Sequence, residues 1–412
     1  MQASVLITLG RLPKALDLAR SFSQLGYRVI VAEPFRWHVT GVSNHVAKTY
    51  QVTAPLVNRE QYLQQLLEIV VKENISFVVP VSEEIIHVSF LRARLTALID
   101  QGRAVTLYAM PSATLLRLHN KFQFIDCCRE YGLAAPETAM LVNNANSADS
   151  TVGIEARRAS HADRLNDTFD TVIKPVFSCS GRGVIFHSRG QQLPLAEAYT
   201  PLIVQQKIGG ELLSTFSIAH EGRVITTVVY RGIVMSGTVA VAFERIADDE
   251  AGHQIVSAWV SKFIGTSKFS GFISFDLIVD ELGVAYGIEC NPRATSGLHF
   301  VDTRDLARAI VSPIGGTPIR FRKARQLQQF YPCLTEVQKS MFGKNFFANL
   351  TALWHAKDVT WSWRDPLPFI TMPITASQII YLAMKSGCTF GEVATLDVGW
   401  YQDLPANEHS QQ

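Results

Sequence analysis

The sequence predicts a mixed α/β and α+β protein of several domains, in which an N-terminal parallel α/β domain precedes two further lobes and a small C-terminal extension. The chain has 412 residues, which is too long for one hydrophobic core. Residues 4–110 alternate between strand-like and helix-like segments, as in a parallel sheet covered on both faces, whereas residues 202–243 are typical of antiparallel strands and residues 271–291 of a hairpin. We expect domains at residues 1–110, 111–202, 203–320 and 321–412.

Composition and charge exclude several classes of protein. Apolar residues make up 47% of the chain and charged residues 18%, which is normal for a soluble globular protein. The formal net charge of +2 gives no reason to expect a nucleic-acid partner, which requires a strongly basic face. The six cysteines lack metal-site spacing and predict free thiols in a reducing cytoplasm. The first residues do not have the pattern of a signal peptide.

Strands and helices of the first domain can be assigned in order. Apolar residues at helical spacing predict a helix over residues 13–25, closed by Gly26. Asn58, with Gln61 three residues later, has the pattern of a capping box and predicts a helix to about residue 72. Short apolar runs predict strands at residues 4–9, 28–32, 75–81 and 104–108.

A dinucleotide-binding domain is the main alternative for this region, with Glu33 as the acid that would bind a ribose. After the first strand the chain provides Gly10 alone, where GxGxxG requires three glycines. Without the other two, the backbone cannot closely approach a pyrophosphate. The sequence therefore argues against NAD or FAD.

The remainder of the chain contains the segments on which the functional argument depends. A polar stretch over residues 144–170 predicts a loop or an exposed helix. The uncharged residues 366–384 barely reach the roughly 20 residues that a membrane span requires, so we expect a buried or interdomain helix there rather than membrane contact. The other predicted elements are helices at 111–117, 121–131 and 250–264, antiparallel strands within 202–243, and a hairpin at 271–291.

The hairpin carries two acidic residues that its register should bring together. If Val279 pairs with Val284, Asp276 and Glu289 become diagonal neighbours on one face, roughly 7–8 Å apart. The apolar residues then fall on the other face, which supports the register. The acidic face is completed by Ser274, Ile278, Ala285, Gly287 and Asn291.

Carboxylates on an otherwise buried face are costly unless a cation compensates them. Mg²⁺ takes oxygen ligands and is commonly held by one or two carboxylates together with substrate phosphates. We therefore expect Asp276, Glu289 and Asn291 to bind Mg²⁺, with Mn²⁺ as the alternative ion. Arg293 follows and could clamp an anionic group. A solvated edge hairpin is the alternative, and the apolar residues on the same face disfavour it.

Two further segments have features of nucleotide binding. Lys174 ends a strand and precedes the small-residue loop 178–183, whose backbone N–H groups could fold over phosphate oxygens. The alternative is a flexible hairpin loop, and the GxxxxGK[ST] motif is absent. Lys121 opens a helix, where the helix dipole disfavours a lysine unless solvent or a phosphate compensates it. The strand that begins at Leu202 could offer its end to an adenine, or simply connect two domains.

In this order the segments resemble the ATP-grasp superfamily of ligases, over roughly residues 1–320. The family pattern is a lysine before a Gly-x-x-x-Pro stretch, a strand lysine with proline and a Gly-rich loop, a linker strand, and an acidic hairpin ending in Glu-x-Asn-x-Arg. Here these positions are Lys121, Gly132, Pro136, Lys174, Pro175, Gly181, Gly183, Gln205, Gln206, Lys207, Ile208, Asp276, Glu289, Asn291 and Arg293.

The resemblance implies a two-lobed ATP-grasp fold that binds ATP and Mg²⁺. It implies that Arg293 and Lys174 are the catalytic groups, with Arg293 stabilising a phosphorylated intermediate. It implies metal binding by Asp276, Glu289 and Asn291. The residues that it implies for nucleotide binding are Lys121, Lys174, Ser178, Ser180, Gly181 and Gly183 for the phosphates, Gln206, Lys207 and Ile208 for the adenine, and Glu211 for the ribose.

The chain departs from the family at two of these positions. Gln206 stands where the linker commonly has Glu, and the ribose glutamate often lies one residue later, at Leu212. A narrower likeness, over residues 14–22 and 365–369 and in the long C-terminal extension, is to the cyanobacterial ATP-grasp ligases of mycosporine synthesis, which join glycine to a cyclohexenone. The Gly-rich loop differs from theirs.

The expected activity is that of a ligase, which phosphorylates a carboxylate or enolate oxygen and joins the activated group to an amine. The alternatives are an ATP-dependent small-molecule kinase and a non-catalytic nucleotide-binding protein. The expected partners are small acids and amines in the cytoplasm, and the sequence leaves open whether the protein is a monomer or a homodimer. Candidates for the acceptor site are Arg231, Thr295, Ser296 and His299.

Overall fold

The structure is a computed structural model of the whole chain. The residues that it describes are 2–141, 161–178, 181–194, 201–314, 317–386 and 394–401. They form a mixed α/β fold with one parallel sheet, one four-stranded sheet and one seven-stranded sheet. The predicted fold class, with a parallel N-terminal domain, is confirmed.

The N-terminal sheet is parallel, with strand order β3-β2-β1-β4-β5. The Asn58 side chain accepts from the Gln61 amide at 2.9 Å and begins the second helix as the capping pattern predicts. Because all five strands are parallel, their carboxyl ends lie at one edge of the sheet. The strands are β1 Ser4–Thr8, β2 Arg28–Glu33, β3 Lys48–Gln51, β4 Phe77–Val79 and β5 Thr106–Leu107, and the helices are α1 Pro13–Gln24, α2 Arg59–Lys72, α3 Ile85–Ser89 and α4 Arg92–Asp100.

Side chains of the N-terminal domain pack at the turn where a sheet of this kind would bind a dinucleotide. Glu33, at the end of β2, accepts from Arg11 Nε at 2.7 Å and from the Arg11 amide at 2.8 Å. A Cβ atom on Gly10 would lie 2.3 Å from the His38 ring, so this ring packs closely against the turn. These contacts agree with the sequence argument against NAD or FAD.

The four-stranded sheet is antiparallel, with strand order β6-β9-β7-β8. The strand that carries Lys174 near its end lies next to the linker strand, which ends in Gln206. Of the polar stretch 144–170, residues 144–160 lie outside the described residues. The strands are β6 Thr138–Leu141, β7 Thr171–Pro175, β8 Ile185–His187 and β9 Leu202–Gln206, and the helices are α5 Ser112–His119, α6 Lys121–Glu130 and α7 His161–Thr168.

The seven-stranded sheet has the order β14-β13-β10-β11-β12-β15-β16. Near β13, one of its faces packs on α6 and α8, and its other face meets α1 and the N-terminal sheet. The strands are β10 Glu211–His220, β11 Arg223–Ser236, β12 Val239–Arg245, β13 Gly271–Val279, β14 Ala285–Asn291, β15 Gln326–Gln328 and β16 Lys357–Asp358, and the helices are α8 Ala251–Ser267, α9 Thr303–Val311, α10 Phe330–Lys339, α11 Phe346–His355 and α12 Leu367–Ser386.

Helix α12 accounts for the uncharged stretch near the C-terminus. Met372 is buried against Leu16 and Val39 of the N-terminal domain, whereas Ile370 and Ile374 are exposed. The predicted interdomain helix is thus confirmed along one side of α12. Across the described ranges, we find no helix with the length and apolarity needed to cross a membrane.

The described segment 394–401 returns to the N-terminal domain. Asp397 forms a two-pronged ion pair with Arg11, at 2.7 and 3.0 Å. The buried Trp400 ring stacks on Phe90 and contacts His87, which is bonded in turn to the Gly399 carbonyl at 3.1 Å. The segment is therefore part of the folded core, although it lies far along the chain from the residues that it contacts.

Candidate active site

The two acidic residues of the hairpin are direct partners across β13 and β14. Asp276 pairs with Glu289, and Ser274 pairs with Asn291. Paired residues project from the same face of a sheet, with Cβ atoms about 5 Å apart. The predicted common face of Asp276 and Glu289 is therefore confirmed, while the predicted diagonal relationship is wrong, because the two residues lie closer together.

The predicted register at the turn is wrong by one residue. Val279 pairs with Ala285 and not with Val284. Asp280 Oδ1 accepts from the Val284 amide at 2.8 Å, which includes Val284 in the turn. Ala285 consequently lies on the apolar face and is buried there.

A β-bulge at Ile288 restores the alternation before the acids. Leu277 pairs with Gly287, and the next pair is Asp276 with Glu289, so Ile288 has no partner opposite it. Gly287 lies on the apolar face, where an added Cβ would approach Trp259 to 2.6 Å. The predicted placement of Gly287 and Ala285 on the acidic face is therefore wrong.

Asp276 is held by two neutral donors and repelled by its neighbour. Ser214 Oγ donates to Asp276 Oδ1 at 2.6 Å, and Asn291 Nδ2 donates to Oδ2 at 3.3 Å. Burial and then the charge of Glu289 raise the pKa of Asp276 to about 6. A bound dication would relieve this repulsion, and the donor set of two carboxylates and an amide matches the oxygen ligands that Mg²⁺ takes.

Two buried lysines from other elements reach the same hairpin. Lys121 Nζ, at the start of α6, lies 3.5 Å from Glu289 Oε1 and donates to Ser178 O at 2.9 Å and to Ser178 Oγ at 3.1 Å. Lys174 Nζ donates to the carbonyl of the bulge residue Ile288 at 3.3 Å. Burial lowers the pKa of Lys174 to about 8, and Lys121 acts in the same direction. Buried cations in contact with carbonyl groups favour an anionic ligand.

The Gly-rich loop crosses from one lobe towards the other. Gly181 and Gly183 have φ angles of +66° and +73°, which favour glycine. Added Cβ atoms would lie 2.9 Å from Pro175 at Gly183 and 2.5 Å from Thr238 at Gly181. The loop thus packs against the strand of Lys174 and against the β11–β12 turn. Ser180 lies outside the described residues.

The linker after β9 has its first amides already paired. The Gln206 amide donates to the Glu137 carbonyl at 2.7 Å, and the Lys207 amide donates to the Asp170 carbonyl at 2.9 Å. The Lys207 carbonyl and the Ile208 amide come next along the linker. These are the groups that could meet an adenine edge.

Glu211 and Arg231 do not join the acidic cluster. Ser214 pairs with both Asp276 and Tyr230, so these three residues share one face. Arg231 follows Tyr230 and therefore projects from the opposite face, where its Nη1 lies 2.9 Å from Glu211 Oε1. The ribose contact of Glu211 stays a prediction, and it would compete with this ion pair.

Arg293 connects the hairpin to the N-terminal domain. Its Nη2 donates to Asn291 Oδ1 at 2.9 Å and lies 2.6 Å from Glu83 Oε1. Glu83 follows β4 and is buried. Glu83 was not among the residues predicted from the sequence. It and Glu84 are adjacent acidic residues after a parallel strand, at the edge where such sheets bind ligands.

The acceptor candidates near Arg293 divide into two groups. Thr295 Oγ1 lies 3.0 Å from Ser274 Oγ, beside the acids, and Ser296 begins the adjacent turn of 3₁₀ helix, Ser296–Phe300. His299 Nδ1 is instead 2.7 Å from Asp17 Oδ2 in a buried joint with α1. Its contacts are therefore those of a domain joint.

Among the described residues, no group of three or more His, Cys, Asp or Glu side chains has the arrangement of a metal centre. The candidate site depends instead on the Asp276–Glu289 pair with Asn291, for which a substrate phosphate would supply further oxygen ligands. The described cysteines Cys127, Cys128, Cys290 and Cys333 are free. They take no part in this cluster.

Comparison with known proteins relates this arrangement to one domain family. Residues 119–297 match the sequence profile of the ATP-grasp domain. This range contains both lysines, the Gly-rich loop, the linker and the acidic hairpin. No curated protein sequence matches the chain.

Solved structures share the fold at low sequence identity. The L-amino acid ligase of Bacillus licheniformis is 14% identical, with 77% of this chain and 78% of that chain covered and a TM-score of 0.55. The ATP complex of carboxyaminoimidazole ribonucleotide synthase from Aspergillus clavatus is 17% identical, covering 78% and 80%, with a TM-score of 0.57. The biotin carboxylase domain dimer of the Hydrogenobacter thermophilus 2-oxoglutarate carboxylase, with MgADP and bicarbonate, is 13% identical, covering 78% and 73%, with a TM-score of 0.55.

Proposed function

Because this chain contains an ATP-grasp domain, we propose that it is an ATP- and Mg²⁺-dependent ligase, which activates a small acid by phosphorylation and joins it to an amine. The observation that carries the proposal is the Asp276–Glu289 pair beside the buried lysines Lys121 and Lys174. Two acids that repel each other, beside two buried lysines, are complementary to a metal–triphosphate complex.

The chain would bind the nucleotide between its two lobes. Lys121 and Lys174 would contact the phosphates, because both ammonium groups are buried and lie beside the hairpin. The loop residues Ser178, Ser180, Gly181 and Gly183 would cover the phosphates from the other side. The linker residues Gln206, Lys207 and Ile208 would line the adenine, and the ATP and MgADP present in the structural relatives support this assignment.

Asp276, Glu289 and Asn291 would hold Mg²⁺, with Mn²⁺ as an alternative. When bound, the metal supplies positive charge at the phosphate oxygens. Asp276 and Glu289 contribute the anionic ligands, and Ser214 orients Asp276. Catalysis of phosphoryl transfer is mostly a matter of positioning and of charge neutralisation.

Two steps follow from this arrangement. An oxygen of the acid attacks the γ-phosphorus of ATP, the bond to ADP breaks, and an acyl or enol phosphate forms. The amine then attacks the activated carbon, a C–N bond forms, phosphate leaves with the electrons of the C–O bond, and the amine loses a proton. Arg293, fixed by Glu83 and Asn291, would stabilise negative charge on the phosphorylated intermediate.

We further propose that the protein acts in the cytoplasm on small molecules, as a monomer or a homodimer. The free thiols of the described cysteines fit a reducing compartment. The dimer recorded for one structural relative supports a test of assembly by light scattering.

An ADP-release screen tests the function. The full-length protein is incubated with Mg·ATP and pairs drawn from carboxylic or enolic acids and amino acids, glycine included. A ligase releases ADP and phosphate in equal amounts, and efficient release depends on both the acid and the amine. A phosphorylated product that forms without any amine would identify a kinase, and nucleotide binding without ADP release under any mixture would contradict the ligase assignment.

A further inference from the structure

A second cationic group lies where the N-terminal domain meets the end of the acidic hairpin. Lys14, in the first turn of α1, donates from Nζ to the Ala294 carbonyl at 2.7 Å and to Ser82 Oγ at 3.3 Å. Ser82 follows β4 and Ala294 follows Arg293, so Lys14 bridges the two domains at the candidate site. The residue as a whole is partly exposed, as a residue at the edge of a cleft would be.

The hydrogen-bond partners of Lys14 are neutral, and the nearby carboxylates are engaged elsewhere. Glu83 pairs with Arg293 at 2.6 Å. Glu84 accepts from Thr8 Oγ1 at 2.8 Å and from two amides of its own turn, at 2.6 and 3.0 Å. Among the ion pairs of the described residues, Lys14 has no carboxylate within salt-bridge distance.

The positive charge of Arg293 also acts on Lys14. Burial, and next the charge of Arg293, lower the pKa of Lys14 to about 7, while Glu83 and Glu84 oppose the change. The N-terminus of a helix adds further positive potential at this position. The carboxylates of Glu83 and Glu84 lie near these two cations but are already engaged, so an anionic ligand that contacts both cations would be favourable.

The position of Arg293 connects this group to the proposed chemistry. Arg293 Nη2 donates to Asn291 Oδ1 at 2.9 Å, and Asn291 donates to Asp276 at 3.3 Å. Arg293 Nη1 also donates to the Ala294 carbonyl at 3.3 Å, the same oxygen that accepts from Lys14. A ligand that contacts Lys14 and Arg293 lies next to the oxygen ligands proposed for the metal.

We propose that Lys14 and Arg293 together bind the carboxylate of the acid substrate. The inference rests on the proposed function and assigns one of its two substrates to the junction of the domains. Two cations would repel an ammonium group, so the amine approaches from elsewhere. The guanidinium charge of Arg293 and the ammonium charge of Lys14 are together complementary to a carboxylate.

The test uses succinate and inorganic phosphate as probes, because they separate carboxylate from phosphoryl recognition. Isothermal titration calorimetry is performed on the full-length protein saturated with Mg·AMP-PNP, which occupies the proposed triphosphate site. The variants are Lys14→Met, which keeps the length of the side chain and removes its charge, and Lys14→Arg, which keeps the charge. Lys262→Met is the matched control, because Lys262 also donates to a backbone carbonyl, at Gly132, at 2.7 Å.

We expect the wild-type protein to bind succinate, and Lys14→Met to bind it at least about tenfold more weakly, as the loss of a charge-assisted contact requires. Lys14→Arg should recover part of the affinity, and Lys262→Met should bind succinate as the wild type does. The proposal is overturned if succinate does not bind the wild type, if Lys14→Met binds it equally well, or if only phosphate binding depends on Lys14. Failure of Mg·AMP-PNP to bind would instead contradict the proposed function.

Discussion

Glu83, from the end of β4, lies 2.6 Å from Arg293, the residue that closes the acidic hairpin. The contact joins parts of the chain that are 210 positions apart in the sequence. It directs the Arg293 guanidinium towards Asn291 and the proposed metal ligands. The N-terminal domain thereby positions a group that would act on the phosphorylated intermediate.

The Glu83–Arg293 contact predicts a positioning role for Glu83. We expect Glu83→Gln to lower kcat by about tenfold or more, as for other residues that orient a site residue, and to leave the KM for ATP nearly unchanged. Steady-state ADP release measures both constants. Glu281→Gln, at the exposed hairpin turn, is the control. An equal rise in the KM for ATP would contradict a role confined to Arg293.

The buried Lys174 and the hairpin residue Glu289 predict two variants that lose activity. Lys174→Ala and Glu289→Ala should each lower ADP release by at least about 100-fold, because Lys174 would neutralise phosphate charge and Glu289 would hold the Mg²⁺ that does so. Circular dichroism should show that both variants remain folded. Lys339→Ala, at an exposed position in α10, should keep full activity. Full turnover by both site variants would refute the assignment.

The raised pKa of Asp276 predicts that replacing its carboxylate weakens metal binding without lowering the thermal stability of the free protein. Asp276→Asn removes a carboxylate that burial and Glu289 disfavour, while an amide oxygen can still accept from Ser214. We expect a Tm equal to or above that of the wild type without ligand. The increase in Tm that Mg·ADP produces in the wild type should be lost. Asp280→Asn, at the turn, should keep this increase, and a full Mg·ADP response in Asp276→Asn would contradict the metal site.

His87 predicts a loss of stability in mild acid. Its Nε2 is bonded to the Gly399 carbonyl, and its Nδ1 is buried without a partner in the described part of the chain, so the ring stays neutral. Burial lowers the pKa of His87 from 6.5 to about 4. The unfolded chain therefore binds a proton that the folded protein does not, and stability falls as the pH decreases from 6.5 to 4, by up to about 3 kcal/mol.

Urea unfolding at pH 7.5, 6.0 and 5.0 measures this loss. His87→Gln keeps a donor near the Nε2 position and cannot bind the proton, so its unfolding free energy should decrease less between these pH values. An equal decrease in the variant and the wild type would exclude His87 as the cause.

Substitutions of two tryptophans in the C-terminal extension should differ in the size of their effect on stability. Trp400 is 4% exposed and packs on the N-terminal domain, whereas Trp363 is 86% exposed. Trp400→Ala should lower the free energy of unfolding by about 3 kcal/mol or more, as for other large-to-small core substitutions. Trp363→Ala should change it by less than about 0.5 kcal/mol. Similar effects of the two substitutions would show that segment 394–401 does not pack as described.

Local sequence patterns determined the order of the elements and much of their extent. The Asn58 side chain caps α2 through the Gln61 amide at the predicted start of the helix, because capping depends on residues three positions apart. The common face of Asp276 and Glu289 was predicted from the alternation of side chains along a strand, and it is observed because the bulge at Ile288 offsets the register error at the turn. Its details were not predicted, because the turn bonds of Asp280 and the bulge at Ile288 shift the register.

Tertiary structure alone decided which distant groups share the site. Nothing in the local pattern relates Lys14 or Glu83 to Arg293, and the strand pairing separates Arg231 from Asp276 by placing them on opposite faces of one sheet. Segment 394–401 likewise packs on residues of the first domain that the sequence could not identify. Periodicity and capping depend on neighbours in the sequence, whereas these contacts arise from burying faces of separate elements against one another.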